Sequence, residues 1–335
     1  MIEERERYAL RFVIVETTRR CNLRCIHCAV SEENNEGGYV YEDLPFEGFA
    51  HLLPMLREHK PEVQLSGHGE TTLHPRFERM LEETLAAGCT VRLQTNGTNL
   101  SQRVIDMLVR HGAALVVVSL DAAEAELFER IRRRSNFRKI VGNLERLAEE
   151  KKKRGVDRPR LAIEFVAMRQ NVDQLADVMA LAHRLGASEF AITELKEYPL
   201  TKGQTLAGDV AMVDVARTAR ELAEKYGMDL HLPPIPGNEV VGVEQLTLDR
   251  RDPASYRGLK KTCREPWERA FVQYNGDVWP CCWISESYGS LTKQPFDAIW
   301  QSERYETLRA ALASDRPPET CVNCPVYGWE PLTET

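Results

Sequence analysis

The chain of 335 residues contains no run approaching ~18 consecutive apolar residues, and therefore no candidate membrane helix. Its opening, Met-Ile-Glu-Glu-Arg-Glu-Arg, lacks the apolar centre of a secretory signal and leads straight into a strand-like stretch. Both absences point to the cytoplasm. A basic stripe is also missing: 44 Lys and Arg face 51 Asp and Glu, for a net charge of −7, which makes nucleic acid a poor fit as a partner. The one arginine-rich run, Arg130, Arg132, Arg133 and Arg134, reads as a solvated helix end. There is no short-period repeat and no low-complexity segment. Cysteine, by contrast, is plentiful. Nine cysteines, an odd number in a reducing compartment, are expected to be metal ligands or free thiols rather than disulfides. With 43% hydrophobic residues the chain can bury one large core and a smaller one.

Short β-branched runs recur between helical stretches: Phe12 to Thr17, Val63 to Ser66, Val91 to Thr95, Leu115 to Leu120, Leu161 to Val166 and Glu189 to Thr193. The clearest helical face is Phe137, Ile140, Val141, Leu144, Leu147 and Ala148. Strands alternating with helices of this length predict parallel pairing through right-handed crossovers, an α/β fold of the partial (β/α)6 barrel kind. A seventh unit is expected from a helix at Asp209 to Tyr226 and a strand at Met228 to Leu232. The organisation predicted is a barrel over 1–232, a linker over 233–262 and a small hairpin-helix module over 263–335. In that module Asn275-Gly276 predicts a type I′ hairpin turn between Ala270 to Tyr274 and Asp277 to Pro280, and Phe296 to Ala313 an amphipathic helix.

Cys21, Cys25 and Cys28 lie within eight residues just past the first strand, at the edge where parallel α/β folds gather reactive groups. Three thiolates in one tight loop suit a tetranuclear iron-sulfur cluster with one iron left open to a ligand. Zinc would want a fourth ligand, for which His27 is the one neighbouring rival. The C-x3-C-x2-C run resembles the signature of the radical SAM superfamily. That resemblance implies a [4Fe-4S] cluster whose open iron is chelated by S-adenosylmethionine, reductive cleavage to a 5′-deoxyadenosyl radical, and hydrogen abstraction from a substrate. It places His27 near the adenine. Ser66-Gly67-His68-Gly69-Glu70-Thr71 is similar to the family's Gly-Gly-Glu-Pro element, so Gly67, Gly69 and Glu70 are expected to receive the cofactor's ammonium group. His68 and Thr71 depart from that pattern. Asn96, Ser119 and Asp121, at the ends of the third and fourth strands, resemble further cofactor-binding elements, although Asn96-Gly97 is also turn chemistry.

Cys263, the hairpin glycine Gly276 with Cys281 beyond it, and Cys321-Val-Asn-Cys324 resemble the SPASM and twitch modules. The resemblance implies one auxiliary [4Fe-4S] cluster closed by four thiolates, with no second, since no further cysteine follows. A zinc ribbon is the alternative. Cys282 is a spare thiol that would pack, replace a ligand or donate a hydrogen atom to a substrate radical; Cys89 is expected to be structural. Glu164, Glu194, Lys196, Glu197, Tyr198, Trp279 and Trp283 are placed to line a substrate pocket, without assigned roles.

The chain reaches its cluster loop by residue 21, leaving no room for a leading peptide-recognition domain. The expected substrate is therefore a small molecule such as a sugar or aminocyclitol, oxidised through the auxiliary cluster, with a flavodoxin or ferredoxin-type electron donor. The alternatives are a peptide substrate, an epimerase using Cys282, and a non-catalytic iron-sulfur or zinc protein.

Overall fold

A computed structural model describes residues 9–35, 37–206, 208–233, 257–324 and 326–332. Nine strands form one sheet. In chain order they are β1 (Phe12–Val15), β2 (Glu62–Leu65), β3 (Thr90–Thr95), β4 (Leu115–Ser119), β5 (Arg160–Ala167), β6 (Glu189–Glu194), β7 (Asp229–His231), β8 (Arg269–Val272) and β9 (Val278–Trp279). Their spatial order is β9-β8-β1-β2-β3-β4-β5-β6-β7, and every pairing is parallel except β8 with β9. β1 to β7 are the expected six strands and the seventh, each within two residues of its predicted ends. Helices cross between successive strands, and the curved sheet is the partial barrel.

Alternation decides which face does what. On β3, Val91, Leu93 and Thr95 are buried, while Gln94 faces the lumen. On β4, Leu115 and Val117 join Ala162 of β5 in a small apolar cluster, and Ser119 stands two residues further along the same face. The register pairs Ser119 with Glu164. The lumen thus has an apolar floor and a polar top at the C-terminal edge of the sheet.

The hairpin of the C-terminal region does not stand apart. β8 pairs residue for residue with β1, from Phe12 with Arg269 to Val15 with Val272, and extends the barrel sheet. Its turn is also not type I′. Gly276 is left-handed (φ +85°) but Asn275 is not; Gly276 N–H donates to Gln273 O at 2.8 Å and Gln273 N–H to Asp277 O at 2.8 Å. That is a type I turn closed by a glycine bulge. A Cβ on Gly276 would lie 2.9 Å from Thr292 Cγ2, a second reason for glycine there. The helix expected over Phe296 to Ala313 is two, Phe296–Trp300 and Glu303–Leu312, because Ser302 leaves the helical conformation (ψ 153°) and its Oγ accepts from Tyr305 N–H to cap the second. Leu259–Lys261, at the end of the span read as linker, pairs antiparallel with Trp329–Pro331. Residues 234–256 of that span lie outside the described residues, as does Met1 to Tyr8. No helix among the described residues is long and apolar enough to cross a membrane.

Candidate functional site

Cys21, Cys25 and Cys28 all line one cavity of about 330 Å³ at the C-terminal edge of the barrel. Their loop is held by its own polar residues: Ser31 Oγ donates to Cys25 O at 2.6 Å, and Asn34 Nδ2 to Ile26 O at 2.7 Å and Cys28 O at 3.0 Å. Leu23 N–H points at Cys21 Sγ at 3.4 Å. Burial pushes the Cys21 thiol up to about 11 and the Cys25 thiol up to about 12, and the thiols raise one another further. Neutral, crowded thiols become thiolates when bound cations take the place of their protons.

The glycines of the second loop pack closely on the chain itself. A Cβ on Gly69 would stand 2.3 Å from Thr18 O and 2.6 Å from Arg20 O, and one on Gly67 2.4 Å from Glu16 Cγ. Glycine here lets the loop after β2 lie flat on the segment leading to Cys21, and both Gly67 and Gly69 line the same cavity as the three cysteines. The space beside Gly67 holds the Glu16 carboxylate, which accepts from both the His68 N–H and His68 Nδ1 at 2.9 Å. His68 lines the cavity with its side chain 59% exposed, so an imidazole oriented by a buried carboxylate faces the pocket. Thr71, which departs from the Gly-Gly-Glu-Pro pattern, bonds Thr17 Oγ1 at 2.7 Å through its own Oγ1 and ties the loop to the end of β1.

Glu70 lines the cavity, but its carboxylate is already engaged. Oε1 accepts from Thr72 N–H, Thr72 Oγ1 and Thr95 Oγ1, and Oε2 from Asn96 N–H, the last three at 2.6 Å. Burial raises its carboxyl above the ordinary value against these bonds. Glu70 therefore splices the β2 and β3 loops together. Asn96 continues the splice: its Nδ2 donates to Asn22 Oδ1 at 3.0 Å and reaches Cys21 Sγ at 3.8 Å, while Oδ1 accepts from Thr98. Ser119 and His27 also line the cavity, and burial pushes the His27 imidazole down to about 4, leaving it neutral.

Asp121 does not line it. Fully buried, it accepts from Val166 N–H at 2.9 Å and faces Arg132 Nε at 2.7 Å. Arg132, read from sequence as solvated, is 6% exposed and lines the cavity; the helix ends at Ile131, and Arg132–Arg133 pairs antiparallel with Arg24–Cys25. Gln94 was not anticipated; Glu164 was only one of several pocket candidates. Gln94 Nε2 donates to Glu164 Oε2 at 2.9 Å, and burial raises the Glu164 carboxyl. Their inward parity on strands was the available signal. Of the other pocket candidates, Glu194, Lys196, Glu197, Tyr198, Trp279 and Trp283 are not among the lining residues.

The second set of cysteines is brought together from distant positions. Cys263, Cys281 and Cys321 pack with Ile284, Leu308, Leu312, Trp267 and Tyr288. Burial pushes Cys263 up to about 12 and Cys321 up to about 11; Glu265, Cys281 and Cys321 raise the first further, Cys281 and Cys324 the second. Cys282 is exposed, beside this group, and does not line the barrel cavity. Cys89 is buried, its Sγ 3.5 Å from Leu56 O, consistent with a structural thiol.

Among the described residues no three His, Cys, Asp or Glu side chains converge on a point that would hold a single metal ion. In the barrel, thiols spread around one cavity, with a polar wall opposite, are what a cube-shaped cluster with an external ligand requires.

The family models agree. The Radical SAM superfamily model matches residues 15–182 and the SPASM iron-sulfur cluster-binding domain model residues 263–325. The chain belongs to the radical SAM superfamily and carries a SPASM domain; its cofactors are a [4Fe-4S] cluster with S-adenosylmethionine, and auxiliary iron-sulfur. It is 25% identical to the tungsten-containing aldehyde ferredoxin oxidoreductase cofactor-modifying protein of Pyrococcus furiosus, over 94% of this chain and 87% of that one. It is 31% identical to the mycofactocin maturase MftC of Mycobacterium ulcerans, over 93% and 79%. Its fold is similar to Streptococcus suis SuiB crystallised with the precursor peptide SuiA: TM-score 0.66, 14% identity, 92% of this chain and 69% of that one.

Proposed function

We propose that this protein is a radical SAM maturase that modifies a peptide. Cys21, Cys25 and Cys28 hold the cluster that binds S-adenosylmethionine, and Cys263, Cys281, Cys321 and Cys324 hold an auxiliary cluster. When bound, cluster and S-adenosylmethionine together supply a 5′-deoxyadenosyl radical that takes a hydrogen atom from the substrate. The chain's own residues fix the loops (Glu70, Asn96, Thr71), line the cofactor cavity (His27, Ser119, Arg132, Glu164) and hold an imidazole at its rim (His68 on Glu16).

The observation that carries the peptide over the expected small molecule is the 31% identity to a maturase along nearly the whole chain. The neighbour crystallised with a precursor peptide supports the same substrate class. A second reading, modification of a small cofactor, is favoured by the 25% likeness to a cofactor-modifying protein.

The test is anaerobic incubation of reconstituted protein with dithionite, S-adenosylmethionine and synthetic peptides from short open reading frames flanking its gene. The expected result is 5′-deoxyadenosine together with a mass change in one peptide. 5′-Deoxyadenosine with no change in any peptide, but a changed cofactor precursor, would establish the second reading. No 5′-deoxyadenosine under any condition would end the catalytic assignment.

A further inference from the structure

One side chain buried at the cavity, Arg132, is presented by the sequence as a surface charge. Cys25 and Arg132 are partners across a two-residue antiparallel ladder, and Ile26 N–H donates to Ile131 O at 2.9 Å just beyond it. The ladder brings the Arg132 side chain over the loop, where Nη1 donates to Cys25 Sγ at 3.9 Å, within reach for sulfur. On its other side Arg132 Nε lies 2.7 Å from Asp121 Oδ2, with side-chain exposures of 7% and 0%. Asp121 is itself immobile: Val166 N–H donates to its Oδ1 at 2.9 Å and Asn171 Nδ2 to its backbone carbonyl at 3.0 Å. A carboxylate is thus anchored to β5, a guanidinium is anchored to the carboxylate, and the guanidinium rests on a thiol of the radical-site loop.

Burial gives these charges weight. A fixed charge in a low-dielectric site acts on its neighbours far more strongly than a solvated one. For iron-sulfur clusters, nearby charge and hydrogen bonds to the ligating sulfur are the protein's means of setting the reduction potential.

We propose that Arg132, held by Asp121, is a positioning residue that sets the reduction potential of the cluster on Cys21, Cys25 and Cys28. Reduction transfers one electron from the donor to the cluster and makes it more negative by one charge. The guanidinium, acting through the Cys25 sulfur, favours that reduced form; Asp121 fixes the guanidinium in place and partly offsets its charge. This rests on the reading that the three cysteines hold the cluster.

The experiment uses the full-length protein, reconstituted anaerobically, as wild type and as Arg132→Gln, Arg132→Lys and Asp121→Asn. Iron and sulfide are counted, and each sample is titrated with dithionite and mediators while the reduced cluster is followed by electron paramagnetic resonance. The radical-site signal is recognised as the one that changes when S-adenosylmethionine is added. The expected result is a lower midpoint potential in Arg132→Gln, a higher one in Asp121→Asn and one near wild type in Arg132→Lys. Opposite signs are the diagnostic feature, since a merely structural pair would move both neutral variants the same way.

Shifts of one sign, or no shift in fully loaded variants, would overturn the proposal, as would loss of iron from all three variants. If Arg132→Gln alone fails to load, Asp121→Asn decides: a raised potential supports the proposal and an unchanged or lowered one ends it. A wild-type protein with no signal responsive to S-adenosylmethionine would instead remove the cluster reading beneath it.

Discussion

The first set of cysteines follows the first strand and Cys281 of the second follows the hairpin of the same sheet, yet the two sets have different surroundings. Cys21, Cys25 and Cys28 follow β1 within a single loop and face a cavity walled by Gln94, Asn96, Arg132 and Glu164. Cys263, Cys281 and Cys321 come from a helix approach, the end of a hairpin and a second helix, and pack among Leu308, Leu312, Ile284 and Trp267. The first set lines a cavity whose wall is polar, and its loop is positioned by hydrogen bonds. The second packs among apolar side chains. The difference lies in the chemistry of the neighbours rather than in the exposure of the thiols, since each set has one buried cysteine and the rest partly exposed.

Replacement of Cys25 by alanine is the hardest blow to this contrast. Iron should fall from about eight to about four per chain, as expected for loss of one of two four-iron clusters, with no 5′-deoxyadenosine formed. Retained cleavage would show that the S-adenosylmethionine site lies elsewhere. Cys263→Ala should also lose about four irons but keep 5′-deoxyadenosine formation without peptide and lose the modified product. If cleavage vanished too, the two regions would not be separable.

Glu70→Gln tests the hydrogen-bonded scaffold around the first set. Both carboxylate oxygens accept, so either orientation of the amide sets an NH2 group against a donor. A loss of about 2 kcal/mol is expected by denaturant unfolding of the unloaded protein. Leu308→Ala, beside the second set, should cost a similar ~2–3 kcal/mol through its cavity, but leave the Cys21 signal with S-adenosylmethionine unchanged.

A smaller effect is expected at Glu16. Burial acts to raise its carboxyl, but the hydrogen bonds from His68 outweigh it and hold the group below its ordinary value. A depressed carboxyl contributes stability above its unfolded pKa, and that contribution is lost as pH falls through the folded one. Thermal melts should therefore show wild type losing its margin over Glu16→Gln as pH drops below about 4. An unchanged margin would mean that the His68 pair contributes nothing to the folded state. The least effect is expected from Cys282→Ser, which should keep the full iron content of both regions, because Cys282 is exposed. A loss of iron there would make it a ligand.

Much of this was legible locally. The seven barrel strands follow from β-branched runs at a regular beat, since a strand buried on its outer face must alternate. The cysteine spacings announced both metal regions. Ser302, the cap that divides the helix expected over Phe296 to Ala313, sits inside an apolar pattern that continues on either side. What escaped were features decided by distant pairing. Nothing near Arg132 tells that its partner is Cys25, 107 residues away, and a cluster of four arginines reads as a solvated end. Likewise, no property of Arg269–Val272 says that it will lie against β1 rather than in a separate module.

By itself, then, the sequence determined the repeating strand-helix units and the loop of Cys21, Cys25 and Cys28, because each depends on neighbours only a few residues away. Tertiary structure alone decided that the hairpin extends the barrel sheet, that Glu70 spends its carboxylate on loop donors and that Arg132 is buried against Asp121. Those outcomes depend on which backbone edges and buried charges meet across the folded chain. Such meetings are set by the balance of burial against unsatisfied polar groups over the whole molecule, which no short stretch of residues encodes.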